Sequence, residues 1–328
     1  MEENRGIVRL AKPIKTGLIR MLFSRALIIV LLMALQVMIY LTAYHWLDKY
    51  LPHFSVLQLL FTVVMVIYLF NNRMDSTAKL TWMWIISLVP VPGTILLFFT
   101  QQNFGHRKTR ERVTEIIEET KHELAQEPRV LDELEKDGEG TDDLVRYLGR
   151  SGCFPACSGT EVRYFPSGEA KFAALLEVLE RAEQFIYMEY FIIQEGTMWG
   201  KILDILIRKV QEGVDVRVLY DGMCEINQLP GNYHKLLEAQ GIKTKVFNPL
   251  LPFVSSHYNY RDHRKILVVD GRTAFNGGIN LADEYINVEQ RFGHWKDTAV
   301  QLSGPAVQSF TLMFLQMWNL DEEEHDFS

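Results

Sequence analysis

The chain has 328 residues, 48% of them hydrophobic and 23% charged, with 34 basic against 41 acidic side chains and a formal net charge of −7. That length suits one or two domains, and the composition is too apolar for an intrinsically disordered chain. The acidic balance argues against nucleic acid as a partner, which calls for a concentrated positive field.

Residues 1–25 are basic, carrying Arg5, Arg9, Lys12, Lys15, Arg20 and Arg25. Residues 26–100 then hold three apolar stretches, 26–44, 54–70 and 80–99. Each reaches or approaches the roughly 20 helical residues that a bilayer core of about 30 Å requires, which predicts a multi-pass region of membrane helices. A signal peptide has one apolar region and a small-residue cleavage site, and this pattern has neither. Trp46, Trp82 and Trp84 stand near stretch ends, where interfacial anchors belong. The basic N-terminus, Arg73 and Lys79 in the second loop, and the cluster Arg107, Lys108, Arg110 and Arg112 all bear the signature of the cytoplasmic side. Three full crossings would put the last cluster outside. Two resolutions stand: Pro90-Val91-Pro92-Gly93 splits the third stretch into a re-entrant hairpin, or the stretch crosses and the following domain is exported. The first is preferred, giving a cell-membrane protein with a cytoplasmic lobe.

Residues 101–143 read as a charged linker, with 13 acidic and 4 basic residues between Glu111 and Asp143. Val113, Ile116, Ile117 and His122 hint at one helical stripe, Glu127-Pro128 breaks it, and Lys136–Thr141 forms a flexible joint. Residues 144–328 alternate strand and helix. Strands are predicted over Phe185–Ile193, Val214–Tyr220, Ile242–Phe247, Lys265–Asp270 and Thr273–Phe275, the last two around the turn Gly271-Arg272. Helices are predicted over Trp199–Gln211, Tyr233–Gln240 and Ala306–Trp318. The alternation implies an α/β/α sandwich around a mostly parallel sheet. Cys153, Cys157 and Cys224 are too few for a disulfide framework, and the first two fall short of the four ligands of a structural zinc site, so no metal is expected.

The chemistry-bearing stretch is His263-Arg264-Lys265, then Asp270, then Gly277-Gly278-Ile279-Asn280, or H-x-K-x4-D-x6-G-G-x-N. Residues two apart on a strand share a face, so His263 and Lys265 look into one space while Asp270 falls on the opposite parity. Asp270 therefore reads as structural rather than reacting. Glycines at 277 and 278 let the backbone approach an anion, and the Asn280 amide can donate to a phosphate oxygen. Arg261, Arg264 and Arg272 surround the motif, either attracting an anionic headgroup or standing as solvated charges. His257 and Tyr258, in the loop Pro249 to Asp262, either line a lipid entry or, the preferred reading, belong to a surface loop.

This pattern resembles the phospholipase D superfamily and its HKD motif. The surrounding YNYRDHRKILVVDGRTAFNGGINLADEYI and FGHWKDTAVQLSGPAV are similar to the first catalytic lobe of bacterial cardiolipin synthases. So are Tyr187-Met188-Glu189-Tyr190-Phe191, Gly213-Val214-Asp215-Val216-Arg217, Tyr220-Asp221-Gly222 and the apolar amino-terminal region. The resemblance implies that His263 attacks phosphorus, that Lys265, Asn280 and Gly278 hold the phosphate, and that Asp270 completes the catalytic motif. It implies a carboxylate behind the histidine, for which Asp297 is the choice and Glu284 the competitor. No cofactor is implied, because the bond energy stays in the covalent intermediate. The implied substrate is phosphatidylglycerol among membrane phospholipids, two of which are joined into cardiolipin with release of glycerol. A phospholipase D-type hydrolase and an inactive lipid-binding relative are the alternatives.

Two departures matter. The family carries two HKD motifs, and this sequence has one: His106 and His294 also have a lysine two residues on, but Val113 and Gln301 stand where the motif needs its aspartate. A fragment of a longer protein, a homodimer sharing one site and an inactive relative all fit; the end near Ser328 falls about where a first lobe should end. Asp262 stands where the family often has asparagine, and a carboxylate there is expected to raise the pKa of His263.

Overall fold

A computed structural model describes residues 6–11, 34, 37–39, 41–46, 49, 53–101, 104–138, 140–152, 154–249, 261–291, 293–322, 324, 325 and 327. The first apolar stretch falls mostly outside these residues, as do Cys153, His257 and Tyr258. The chain divides into two compact units, residues 15–106 with 252–256, and residues 1–14, 107–251 and 257–328.

The smaller unit contains helices α1 (Phe54–Asn71), α2 (Ser76–Leu88) and α3 (Pro90–Gln101). Asp75 starts α2 by accepting from the backbone N–H groups of Thr77 and Ala78. The third apolar stretch does break, at Val89, whose φ of −134 and ψ of 77 leave the helical region. Proline 90 is the cause, since its ring disfavours helical geometry in the residue before it. The chain then folds back so tightly that a Cβ on Gly93 would lie 3.2 Å from the Ile85 carbonyl oxygen and from the Ile86 Cα. Met65, Leu69, Ile86 and Leu97 form the unit's buried cluster. Leu57, Leu60, Val64, Ile67, Trp84, Leu88 and Ile95 are all exposed. Among the described residues no helix is long and apolar enough to cross a membrane.

The larger unit opens with α4 (Phe104–Thr120), α5 (Pro128–Asp137) and α6 (Thr141–Gly152). The expected solvated linker is thus largely helical. Proline 128 occupies the first turn of α5 and Gly138, at φ 69, ends it. Ile116 is buried, and Thr120 accepts from the Gln316 side chain at 2.8 Å, so α4 packs on the lobe. Residues before the first apolar stretch also dock there. The Val8 N–H donates to the Gly200 carbonyl at 3.1 Å, and Leu10 and Ala11 donate to Glu195 Oε1 at 3.1 and 3.3 Å.

The strands are β1 (Glu161–Phe165), β2 (Phe185–Tyr190), β3 (Asp215–Asp221), β4 (Lys243–Phe247), β5 (Lys265–Val269), β6 (Thr273–Gly277) and β7 (Ala299–Ser303). Among the described residues they form one seven-stranded sheet, ordered β1-β7-β6-β5-β2-β3-β4. Helices α7 (Gly168–Glu180) and α8 (Thr197–Gln211) pack on one face with Ile186, Met188, Tyr190, Val216, Val218 and Leu267. Helix α11 (Val307–Trp318) covers the other with Tyr187, Leu219, Ile266 and Val268; the short α9 (Cys224–Asn227) and α10 (Tyr233–Glu238) follow β3. That alternation along each strand is the period of two that puts neighbours on opposite faces. The sheet is mixed rather than mostly parallel. Only β2–β3 and β3–β4 are parallel pairs, while β1–β7, β7–β6, β6–β5 and β5–β2 are antiparallel. Helical crossovers allow the parallel pairs, whereas the tight turn between β5 and β6 can only reverse the chain. In consequence β2, β3 and β6 end, and β5 and β7 begin, at one end of the sheet.

Candidate active site

At that end His263 precedes β5 and Lys265 opens it. Lys265 pairs with Tyr190 across β2, is 3% exposed, and its Nζ donates to the His263 carbonyl at 2.5 Å. Phe191, just past β2, sits between them: its ring centroid is 4.8 Å from that of His263, and the ammonium stands 5.3 Å from it. His263 itself is exposed. Partial desolvation of the ring, together with the charge of Lys265, nevertheless holds its imidazole below the ordinary histidine range, against the opposing pull of Asp262 and Asp221. The expected rise from Asp262 is therefore outweighed, and the shift favours the neutral ring. Burial likewise lowers the Lys265 ammonium, opposed by Asp262 and Asp297.

The approach to His263 is fixed by acids, of which the sequence pattern assigns a role to Asp262 but none to Asp221 or Glu189. Asp221, at the end of β3, accepts from the Asp262 N–H at 3.0 Å, from Met223 N at 2.8 Å and from Arg261 Nη1 at 3.2 Å. Arg264 Nε donates to Asp262 at 3.1 Å, and its Nη2 pairs at 2.6 Å with Glu189, whose burial pushes that carboxyl well above the usual range. Glutamate 189 was legible as an anomaly, a carboxylate inside an aromatic apolar strand. Cys224, with its thiol pushed up by burial to about 12, donates to the Phe191 carbonyl at 3.0 Å.

The glycine segment leaves β6 beside these groups. Gly277 has φ 151, and a Cβ on Gly278 would fall 2.7 Å from the Asp297 Cγ, so only glycine lets that carboxylate lie against the backbone. Asn280 is 3% exposed; its Oδ1 accepts from Ile192 N at 3.0 Å and its Nδ2 donates to the Tyr285 hydroxyl at 2.8 Å. One amide hydrogen is thus committed and a second is available. Asp297 accepts from Thr298 N at 2.8 Å and acts electrostatically on Lys265 and Lys171. The carboxylates acting on His263 in this structure are Asp262 and Asp221. Glu284 pairs with Arg291 at 3.7 Å.

Asp270 is not brought to this group. It lies at the opposite end of β5 with φ 53, where its carboxylate accepts from the N–H groups of Glu183, Gln184 and Phe185 at 2.9, 2.8 and 2.9 Å. Arg272 is there too, 3.8 Å from Glu183. The assembled groups are a neutral imidazole, a buried cation and a glycine-flanked amide, which suit nucleophilic attack on an anionic phosphodiester.

Residues 175–318 match the family model described as cardiolipin synthase, phospholipase D-like domain. The chain belongs to the cardiolipin synthase family of the phospholipase D superfamily. It is 36% identical over 263 residues to a cardiolipin synthase of Alkalihalophilus pseudofirmus, covering 79% of this chain and 52% of that protein. It is 52% identical over 263 residues to an uncharacterised protein of Streptococcus mutans, covering 80% of this chain and 57% of that one. A solved structure, the phospholipase D family member Nuc of Salmonella typhimurium, is 19% identical, covers 51% of this chain and 99% of that one, and has a TM-score of 0.38. The chain spans about half the length of the curated relatives it matches.

Proposed function

We propose that the chain carries one catalytic lobe of a membrane-associated phosphatidyltransferase of the cardiolipin synthase type. The observation that carries the reading is His263 set beside the buried Lys265, with the Phe191 ring against both. An imidazole nitrogen of His263 bonds to phosphorus of a phosphatidylglycerol as the bond to the glycerol headgroup oxygen breaks. Lys265 and Asn280, with Gly278 opening the backbone, bind the phosphate oxygens; each good donor contributes about 2.7–4 kcal/mol to transition-state stabilisation in comparable sites. Asp297 balances the charge of Lys265 and Lys171, while Asp262 and Asp221 are the carboxylates that act on the histidine. The leaving alkoxide takes its proton from a general acid, the histidine of a second lobe or a second copy. A hydroxyl of another phosphatidylglycerol then attacks phosphorus, gives up its proton to the same group, and frees His263 with cardiolipin formed.

Membrane residence is part of the proposal. The exposed apolar faces of α1, α2 and α3 suit lipid contact, and the break at Val89 suits a re-entrant turn, since 13 and 12 residues of helix are each short of a bilayer. The docked residues 6–11 support a cytoplasmic lobe. They precede the first apolar stretch and the lobe follows the last, so both stand on one side and the chain between crosses an even number of times.

The test is lipid turnover by the purified chain with labelled phosphatidylglycerol, against His263→Ala. Equimolar cardiolipin and glycerol from the wild type alone supports transfer. Phosphatidic acid in place of cardiolipin, again with release of glycerol, makes the protein a hydrolase, and the absence of any product refutes activity without a second lobe.

A further inference from the structure

Lys171 is fully buried, yet no step above uses it. It lies on α7 in the stripe that also buries Ala174, Leu175 and Leu179, a position where an apolar side chain is expected. Its Nζ donates to the Tyr190 hydroxyl at 3.3 Å and to the Ile279 carbonyl at 3.2 Å, and stands 5.1 Å from the Tyr190 ring centroid. Ile279 is the residue between Gly278 and Asn280, and Tyr190 is the β2 residue paired with Lys265. One ammonium thus joins the backbone of the glycine segment to the strand beside the motif lysine.

We infer that Lys171 is a positioning residue of the phosphate site, a buried cation that fixes the Gly277–Asn280 segment against β2 and adds a second positive charge behind Lys265. This rests on the reading of that site as a phosphate site. An uncharged methionine has a similar length and fits an apolar stripe, so packing alone does not call for lysine. Both of its hydrogen-bond partners are neutral, and a buried cation is costly without compensation. An anion bound at Lys265 and Asn280 supplies that compensation from the front. Burial brings the Lys171 ammonium down to about 7, with Asp297 opposing and Lys265 lowering it further. The titratable groups acting on it are thus Asp297 before β7 and Lys265 on β5, with the Tyr190 phenol on β2 in direct contact. Anion binding should therefore draw a proton onto Lys171 near neutral pH.

The test uses the full chain in detergent, in a His263→Ala background that removes the histidine's own titration. Inorganic sulfate, whose charge is constant above pH 4, serves as the probe. The side-chain amide signal of Asn280 is followed by nuclear magnetic resonance. With Lys171 intact, sulfate binding should weaken about tenfold from pH 6 to pH 8.5. Lys171→Arg keeps its charge and should flatten that profile at the tight end. Lys171→Met should flatten it at the weak end and move the Asn280 signal before any sulfate is added. Sulfate affinity and pH profile unchanged in Lys171→Met would overturn the inference. Failure of the parent protein to bind sulfate would overturn the phosphate site itself. The positioning of Asn280 by Lys171 would then stand or fall on the signal without sulfate. Melting temperatures of both variants identify any that fail to fold.

Discussion

The aspartate of the motif offers the sharpest test, because the resemblance counts it as catalytic and the structure puts it at the wrong end of β5. In Asp270→Ala three backbone donors, those of Glu183, Gln184 and Phe185, lose their acceptor at the start of β2. Two of the three bonds are exposed and water can replace them, so each contributes about 1 kcal/mol. Residue 270 is also held at φ 53, a conformation that aspartate and asparagine tolerate better than alanine, which adds roughly 1 kcal/mol. The sum is about 2–4 kcal/mol, or a fall of roughly 5–15 °C in melting temperature for a unit of this size. Asp270→Asn keeps the backbone preference and part of the bonding, and should lose about half as much. The assay is thermal or denaturant unfolding beside turnover and sulfate binding, both expressed per folded molecule. Stability should fall while the per-molecule values hold. An Asp270→Ala protein that melts with the wild type but neither turns over nor binds sulfate would refute the reasoning.

Other substitutions read other joints. Gly278→Ala should push the Asp297 carboxylate off the backbone and cut turnover at least tenfold, with a stability loss of about 1–3 kcal/mol measured by denaturation. Gly168→Ala should destabilise more than an ordinary helix-start change, since its Cβ would stand 2.9 Å from the Tyr285 carbonyl carbon; an unchanged melting temperature would contradict that contact. For pH, the His263 imidazole titrates below the ordinary histidine range, so its nucleophilic form persists as pH falls and the acid limb of turnover lies below about 6.5. Lys265→Met removes a repulsive charge, raises the His263 pKa, and should move its nuclear magnetic resonance titration midpoint upward. Glu195→Ala should free residues 6–11, read as faster amide exchange at Leu10 and Ala11.

Much of the lobe is legible in the sequence because its strands and helices between Phe185 and Phe247 carry strong, separate periodicities. The pieces that are not legible have physical reasons. Val162 and Tyr164 on the edge strand β1 are exposed, so that strand shows no buried alternation. Lys171 interrupts the apolar stripe of α7 and hides a helix that the core needs. Sheet direction depends on which strands become neighbours, and the insertion of β5 and β6 beside β2 cannot be read from local pattern. At the site, His263, Lys265, Gly278 and Asn280 announce themselves by residue type and spacing, while the hold of Asp221 on Arg261 and Asp262 and the tie of Lys171 to Tyr190 and Ile279 join residues distant in the chain. Asp262 shows the limit of charge counting: its pull on His263 has the expected sign, but burial and Lys265 are larger.

The motif's spacing itself follows from the sheet. Because β5 and β6 are antiparallel and joined by a tight turn, a chain that leaves the site end of the sheet at His263 must run the length of β5, reverse, and run back along β6 before it can place another group there. The pairs Ile266 with Asn276 and Val269 with Thr273 fix that round trip, and it delivers the segment Gly277–Asn280 beside Lys265. Asp270 marks the reversal, where its carboxylate anchors the turn to the first residues of β2. A one-residue change in either strand would shift the register and turn the paired side chains to the other face. The fixed interval between histidine, aspartate and asparagine is therefore the contour length of a hairpin. It explains how Asp270, at the end of the hairpin away from His263 and Lys265, keeps a fixed place in the same motif.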